Sequence, residues 1–545
     1  MAPWSGLPLA LVIVLGGYVL YGCVKMIRAR RAFYYSKVKP GLPMPKWSPI
    51  FGHLLAMKSA FDKYKLPQDI TRANIFTAMA QEFSESDLWY MDLWPFFNPL
   101  LLVNSLSYAT QTCSHENNLG KPPDLEPFMR AIAGGDSVFT TNGEEWKHGR
   151  DVFTSGFNTN YILGQTGHIV QEAEEYVEVL RKLAKSGEMV CIDQVNVKYT
   201  MDIGGILTLN QRFNTQAEDA NRFVSAIRHT INWDYLGELR TPLVRWTPLI
   251  RLIHWYNGRI MKNYISRALD ARYIEWKAGN VDPQTTRTAI DLALADYINR
   301  HKDKPTETLD PKFKAWAIVQ LRLLFFVAHD STSATLSYTY LMLSKHPAVL
   351  AKLRSEHDLV FGTDLSRVPT LLKDQPHLLN KLEYTTAVIK EVLRLYPPAS
   401  GFRLGRPDVH LHDDAGNSYP TDNTRIWVLH SALHVHAKYW EQPDAFLPQR
   451  WLVGPEDPLY PVKGAWRPFE FGPRNCLGQT LSMLDLRVTL AMVVRRFDFE
   501  EAYGEWDRVN GVSRERWVKG ERWYQVGGGG AHPADGLPCR VVLRE

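Results

Sequence analysis

Apolar residues are distributed unevenly along the chain. Residues 1–24 contain no charged side chain. As a helix, Leu7 to Val24 would reach about 27 Å at roughly 1.5 Å per residue, close to the thickness of a hydrocarbon core. Lys25, Arg28, Arg30 and Arg31 follow. The pattern predicts a transmembrane anchor over 1–26, with the positive flank keeping the rest of the chain on the cytoplasmic side. A cleaved signal peptide is the other reading, but it needs a basic n-region, and no Lys or Arg precedes the apolar run. Next, 27–50 is basic and carries Pro40, Pro43, Pro45 and Pro49. These prolines exclude regular helix, so the stretch reads as a rigid linker to a globule over 51–545.

Within that globule helical periodicity dominates. The run from Gln171, Q-E-A-E-E-Y-V-E-V-L-R-K-L-A, places apolar residues at helical spacing. The longest pattern runs from Pro311 to Ser344 and ends before Lys345-His346-Pro347. As one helix it would span roughly 50 Å. Its L-L-F-F-V-A segment is apolar on most faces, which predicts burial. Strand-like runs are short and late, such as T-R-I-W-V-L-H at 424–430, and G-G-G-G at 527–530 reads as a turn in a C-terminal hairpin. The class is mainly α with minor β.

Composition narrows the function. The chain is 45% apolar and 22% charged, which is ordinary for a folded protein and excludes disorder. A net charge of +5 without a long basic run argues against nucleic acid as a partner. The five cysteines, Cys23, Cys113, Cys191, Cys476 and Cys539, are odd in number and scattered, and no Asn-x-Ser/Thr acceptor occurs. Both features favour a reducing, cytosol-facing globule. No CxxC pair suggests a zinc or iron–sulfur site.

Polar residues in unexpected places mark candidate chemistry. Asp330, Ser331 and Thr332 interrupt the centre of the long apolar helix. A buried carboxylate is costly unless it is hydrogen-bonded or wet, and helical hydroxyls can simply bond back to carbonyls one turn earlier. The functional alternative is an acid and an alcohol beside a cavity, relaying protons. Glu391 and Arg394 are spaced i, i+3 on one helix face, and Arg450 follows Phe446-x-Pro448. Trp146 and Arg150 are four residues apart on another helix. Each is a weak signal alone. The last piece is P-F-E-F-G-P-R-N-C-L-G-Q, which puts Cys476 on a glycine-bracketed turn.

Taken in order, these motifs resemble the cytochrome P-450 superfamily, the haem-thiolate monooxygenases, over about residues 40–545. Phe469-x-x-Gly472-x-Arg474-x-Cys476-x-Gly478 is the most specific of them. The resemblance implies the P-450 fold and haem with Cys476 as axial thiolate. Phe469 is implied to pack near the sulfur, and Gly472 and Gly478 to permit the turn. A helix beginning at Leu477 is expected to lower the thiol pKa through its positive end. Trp146, Arg150 and Arg474 fall on the positions that hold the haem propionates. Arg403 joins them, with Arg406 as competitor because the register after Pro397-Pro398 is ambiguous. Glu391, Arg394 and Arg450 match the structural triad and belong to folding.

The distal helix departs from the family pattern. Ala328 stands where glycine is usual, and Ser331 where threonine is usual. Proton delivery through Asp330 and Ser331 is retained, with Thr332 as the alternative if the register shifts by one. The implied reaction is monooxygenation of an apolar small molecule. No flavin or nicotinamide motif is present, so the implied electron donor is an NADPH-cytochrome P-450 reductase at the endoplasmic reticulum membrane. The catalytic domain is expected to face the cytosol. Lys147 and its basic neighbours are either the surface that receives the reductase or a solvated charged face.

The segments A-W-R-P-F-E-F-G-P-R-N-C-L-G-Q and G-E-R-W-Y-Q-V are similar to membrane-bound members from filamentous fungi, which implies a secondary-metabolite pathway. The resemblance places Phe128 to Phe139, the helix around Phe325 and His329, and the turn after Val526 over the haem. Two rival classes are a reductase-independent haem-thiolate isomerase or dehydratase, which the substitution at Ala328 allows, and a non-catalytic haem sensor.

Overall fold

The computed structural model describes residues 7–114, 116–217, 221–234, 247–281, 288–301, 307–512 and 516–544. The architecture is mainly helical with four small sheets. Its axis is the predicted long helix, Pro311–Lys345. Pro311 occupies the first turn, where no amide donor is needed, and the Asp310 carboxylate caps it by accepting from the N–H groups of Lys312 and Phe313 at 2.8 and 3.0 Å. This helix runs along Ile192–Leu209, where Gly204 lets the Phe325 ring approach. The pattern read from Gln171 forms Thr166–Ser186, ended by Gly187 in the left-handed region.

The largest sheet runs in the order Leu88–Met91, Leu100–Val103, Arg425–Val428, Gly401–Leu404. The middle pair is parallel and both outer pairs are antiparallel. This register sets Arg403 opposite Ile426 and turns its side chain into the protein, where it is 1% exposed. The C-terminal hairpin forms as expected: Gln525–Gly527 pairs with Ala531–Pro533, and Gly529 adopts φ +113° in the turn.

The triad is a fully buried lock. Glu391, Arg394 and Arg450 are each 0% exposed. The Glu391 carboxylate accepts from Arg394 Nη2 at 2.8 Å, Arg450 Nε at 3.0 Å and Trp451 Nε1 at 3.0 Å. The remaining guanidinium donors reach carbonyls of Ala445, His434 and Glu441 among others.

At the N-terminus, Leu7–Phe33 is one 27-residue helix. Residues 1–6 of the predicted anchor, and the side chains of 7–15, lie outside the described set. Among the described residues no helix is long and apolar enough to cross a membrane. The predicted linker is clamped to the body. Arg30 is buried against Asp92 and donates to the Trp94 carbonyl at 3.0 Å. Lys37 is buried against Asp422 at 2.8 Å, and Trp47 Nε1 donates to Asp92 at 3.1 Å. The prolines exclude regular helix over 40–50, and two of the basic residues, Arg30 and Lys37, are buried against acids of the body.

Candidate functional site

The cysteine loop is built by local geometry. Gly472 adopts φ +76°, and a Cβ there would lie 2.2 Å from the Cys113 carbonyl oxygen, so only glycine fits. Glu470 takes φ +60°, a costly value for a side chain with a Cβ, and is held there by its ion pair with Arg403. The Cys476 N–H donates to the Phe469 carbonyl at 2.8 Å and closes the turn. Gly478 has an ordinary φ, and a Cβ there would meet only the Cys476 sulfur at 3.9 Å, an ordinary contact, so the turn itself does not require glycine at this position.

Two expectations about the thiol need correction. The following helix begins at Gln479, not Leu477. Backbone N–H groups of Gly478 and Gln479 do reach the sulfur, and Arg150 adds positive potential. Burial nevertheless outweighs them and pushes the thiol up, so the expected net lowering is not found in the protein's own field. By surface area Cys476 is exposed, yet it lies deep among protein atoms. Both hold for a sulfur that faces a recess. Beside the loop, a cavity of about 490 Å³ is bordered by Arg467, Phe469, Glu470, Gly472, Asn475 and Gln479, without Cys476 in its lining.

The long helix also has an opening. Between Gln320 and Leu343 every residue is buried except Val327, Ala328 and Ser331. These three share one helical face, and Val327 is 43% exposed in mid-helix. Ser331 is therefore the hydroxyl on the open face. Thr332 is buried with its Oγ1 3.2 Å from Ser482 Oγ, so it is spent on the helix that follows the cysteine. Asp330 is buried and turned toward the C-terminal hairpin, where the Gly530 N–H donates to it. Phe325 and His329, expected over the haem, are both 0% exposed, with Phe325 packed between Phe213 and Phe223. Helical geometry turns them away from the face that carries Val327. The side chain of Phe128 lies outside the described set.

The basic residues converge. Arg403 pairs with Glu470, which also accepts from His430 Nε2 at 3.0 Å. Arg406, the competitor, is exposed and paired with Asp408 at 2.8 Å. The Arg474 guanidinium stacks 4.3 Å from the Trp146 ring centroid and donates to the Thr141 carbonyl at 3.1 Å. Arg150 is committed to the loop itself, donating to the Asn475 carbonyl at 2.6 Å.

Sequence reading missed Lys121, which is 6% exposed with no carboxylate partner among the described residues. Burial and the nearby Arg403 push its ammonium pKa down, and Arg474 adds to this. Arg474 is itself pushed down to about 10 by burial and by Arg403 and Arg150. Nothing in K-P-P-D distinguished Lys121 from a surface lysine. Arg403 Nε, Arg474 Nε, and both Nε and Nη1 of Arg467 are buried without a hydrogen-bond partner. One carboxylate, Glu470, serves this whole group. Orphaned buried donors with excess positive charge fit a bound group that brings its own carboxylates, as the haem propionates would.

The family model described as Cytochrome P450 matches residues 42–513. Cytochrome P450 monooxygenase polC of Polytolypa hystricis is 34% identical over 95% of this chain and 92% of its own length. Cytochrome P450 monooxygenase acrF of Aspergillus aculeatus is 32% identical over 88% of this chain and 99% of its own. The crystal structure of the cytochrome P450DA heme domain superposes with TM-score 0.68 at 18% identity, covering 92% of this chain and 98% of that one. The chain belongs to the cytochrome P450 family, whose cofactor is haem on a cysteine thiolate, and is an oxidoreductase of the monooxygenase class.

Proposed function

We propose that this cytochrome P450 inserts one oxygen atom of dioxygen into an apolar small molecule of a secondary-metabolite pathway. The observation that carries the reading is an accessible thiol on the glycine-bracketed loop together with a hydroxyl on the one open face of the long helix between Gln320 and Leu343. Haem with a thiolate ligand supplies oxygen activation when bound, because thiolate donation favours O–O cleavage.

The chain's own residues serve that chemistry in separable ways. Cys476 Sγ would bind the iron, and the Gly478 and Gln479 N–H groups, donating to the sulfur, would favour its anion against the opposing effect of burial. Lys121, Arg403 and Arg474 would hold the propionates, and the Trp146 ring fixes the plane of Arg474. Phe469 and Gly472 shape the loop beneath. On the distal side, Ser331 Oγ holds a proton at the open face, and Asp330 orients that step from behind. Val327 offers an apolar wall that excludes water and suits an apolar substrate.

Electrons come from a separate NADPH-dependent reductase, since no flavin or nicotinamide motif occurs in the sequence. The exposed Lys147 is placed on a helix that also carries Arg150, whose guanidinium reaches the cysteine loop, which suits it to receive an acidic partner. The uncharged residues 1–24 and the exposed Tyr18 to Tyr21 support insertion of the N-terminal helix into the endoplasmic reticulum membrane, with the body on the cytosolic side.

The test is reconstitution with a NADPH-cytochrome P450 reductase in phospholipid vesicles, presented with apolar fungal metabolites under ¹⁸O-labelled dioxygen. The expected result is a product carrying one labelled atom, formed only when NADPH and reductase are both present. Conversion that proceeds without NADPH, reductase or label would overturn the reading in favour of an isomerase or dehydratase.

A further inference from the structure

The acid of the distal helix is gripped by a segment about 200 residues away in sequence. His532, on the second strand of the C-terminal hairpin, is 6% exposed. Its Nδ1 lies 2.9 Å from an oxygen of Asp193, and its Nε2 lies 3.4 Å from Asp330 Oδ1. Asp193 stands in the first turn of Ile192–Leu209 and also accepts from Ser337 Oγ at 2.9 Å, two turns beyond Asp330 on the long helix. Asn196 Nδ2 donates to the same Ser337 hydroxyl at 2.9 Å. One imidazole thus hydrogen-bonds one buried carboxylate, Asp193, and stands in ion-pair range of a second, Asp330, with no hydrogen bond between Nε2 and Oδ1, while hydroxyl and amide groups fix Asp193.

The glycine turn is what allows the grip. A Cβ on Gly529 would lie 2.7 Å from the Asp330 carboxylate, and one on Gly530 would lie 3.0 Å from it. Without side chains there, the backbone reaches the acid and the Gly530 N–H donates to it. The Ala531 N–H, donating to the Pro398 carbonyl at 2.9 Å, anchors the turn to the body.

Charge gives this geometry a direction. The titratable and charged groups packed about His532 and Asp330 are Asp193, His329 and Arg228, the last 3.7 Å from Asp330 Oδ1 and partly exposed. Two carboxylates against one imidazole favour the imidazolium, and His532 is raised to about 10 although burial opposes it. Asp330 is held below the ordinary carboxylate value, burial being outweighed by His532, His329 and Arg228.

We propose that His532 is a positioning residue for distal proton delivery: standing between Asp193 and Asp330, it fixes the Asp330 carboxylate in one orientation and keeps it ionised. This rests on the reading that Asp330 and Ser331 deliver protons. Removing the imidazole leaves the buried Asp330 with the Gly530 N–H, the buried His329 and the partly exposed Arg228 at 3.7 Å, and a buried carboxylate that loses its nearest cation is biased toward taking up a proton.

The test uses the haem-loaded full chain. Infrared difference spectra across pH 5 to 9 are recorded for wild type, His532→Ala, His532→Gln and the double variant Asp330→Asn/His532→Ala. Peroxide released per NADPH oxidised with the reductase is measured for the same proteins and for Asp330→Asn. His532→Ala is expected to gain a protonated-carboxyl band that the double variant lacks, and to release at least twofold more peroxide per NADPH. His532→Gln, which keeps a donor but no charge, is expected to show the band as well. If neither histidine variant gains the band while Asp330→Asn raises peroxide release, the proposal fails and the delivery reading stands. If Asp330→Asn itself leaves peroxide release unchanged, the delivery reading fails. Should the histidine variants not fold, the wild type against Asp330→Asn decides: a protonated Asp330 band in the wild type at neutral pH overturns the proposal, and its absence supports it.

Discussion

Glu391 sits between Arg394 and Arg450 with all three side chains at 0% exposure, and Glu470, 12% exposed, sits among the buried Arg403, Arg467 and Lys121 and the half-buried Arg474. Both clusters hold more cations than anions, so charge ratio does not separate them. The donors do. No nitrogen of Arg394 or Arg450 is among the buried atoms that lack a partner, because carbonyls of the loop around 441–445 take what Glu391 does not. Around Glu470, four guanidinium nitrogens have nothing to bond. A finished cluster is a fold lock. An unfinished one beside the cysteine loop suits a group held there, although orphaned guanidinium nitrogens also occur elsewhere, as at Arg322 and Arg495.

The comparison breaks most sharply at Glu391. Glu391→Ala leaves two guanidinium groups buried without their carboxylate, and removal of one partner from such a site costs about 3–5 kcal/mol. We expect little folded protein and a large drop in urea midpoint. A variant as stable as wild type would remove the distinction. In the other cluster the same logic reverses. Lys121→Met deletes a buried cation that lacks a carboxylate partner, so the haem-free protein should unfold at the same urea concentration or higher, while the haem-loaded protein should lose its haem several-fold faster to a haem-scavenging globin. If Lys121→Met destabilised the haem-free protein by more than about 1 kcal/mol, a value typical of an ordinary core change, Lys121 would belong to the fold.

A third buried acid sharpens the contrast by having no cation partner among the described residues. Asp485, on the helix after the cysteine, accepts from Tyr199 at 2.9 Å, with Thr489 nearby, and burial raises it to about 7. In the unfolded chain it releases its proton near the usual value of about 3.9. Between those limits the folded state binds more protons than the unfolded state, so its contribution to stability falls as pH rises and levels off above about pH 7. Asp485→Asn should flatten that slope, gaining on wild type at pH 8 but not at pH 4. Parallel urea midpoints across the range would contradict this.

Much of this was legible because the relevant signals are local. The long helix, the tetraglycine turn and the Glu391, Arg394 and Arg450 lock follow from periodicity, backbone freedom and a specific family pattern. The cysteine loop was legible for the same reason, since Gly472 and Cys476 act within a few residues of each other. The choice between Arg403 and Arg406 needed the sheet register, which depends on Arg425–Val428 pairing in space. Lys121 and His532 were invisible, because each earns its role from partners hundreds of positions away. The net rise of the Cys476 thiol was misjudged because a helix terminus is visible in sequence and the depth of burial is not.

The central claim is that the accessible sulfur of Cys476 holds the haem. The measurement that meets it most directly is the carbon monoxide difference spectrum of the reduced, haem-loaded protein, with Cys476→Ser beside it. The account predicts a strongly red-shifted Soret band in the wild type and its loss in the variant. Folded, haem-loaded wild type without that band, or a variant that keeps it, would contradict the thiolate assignment and the monooxygenase reading built on it.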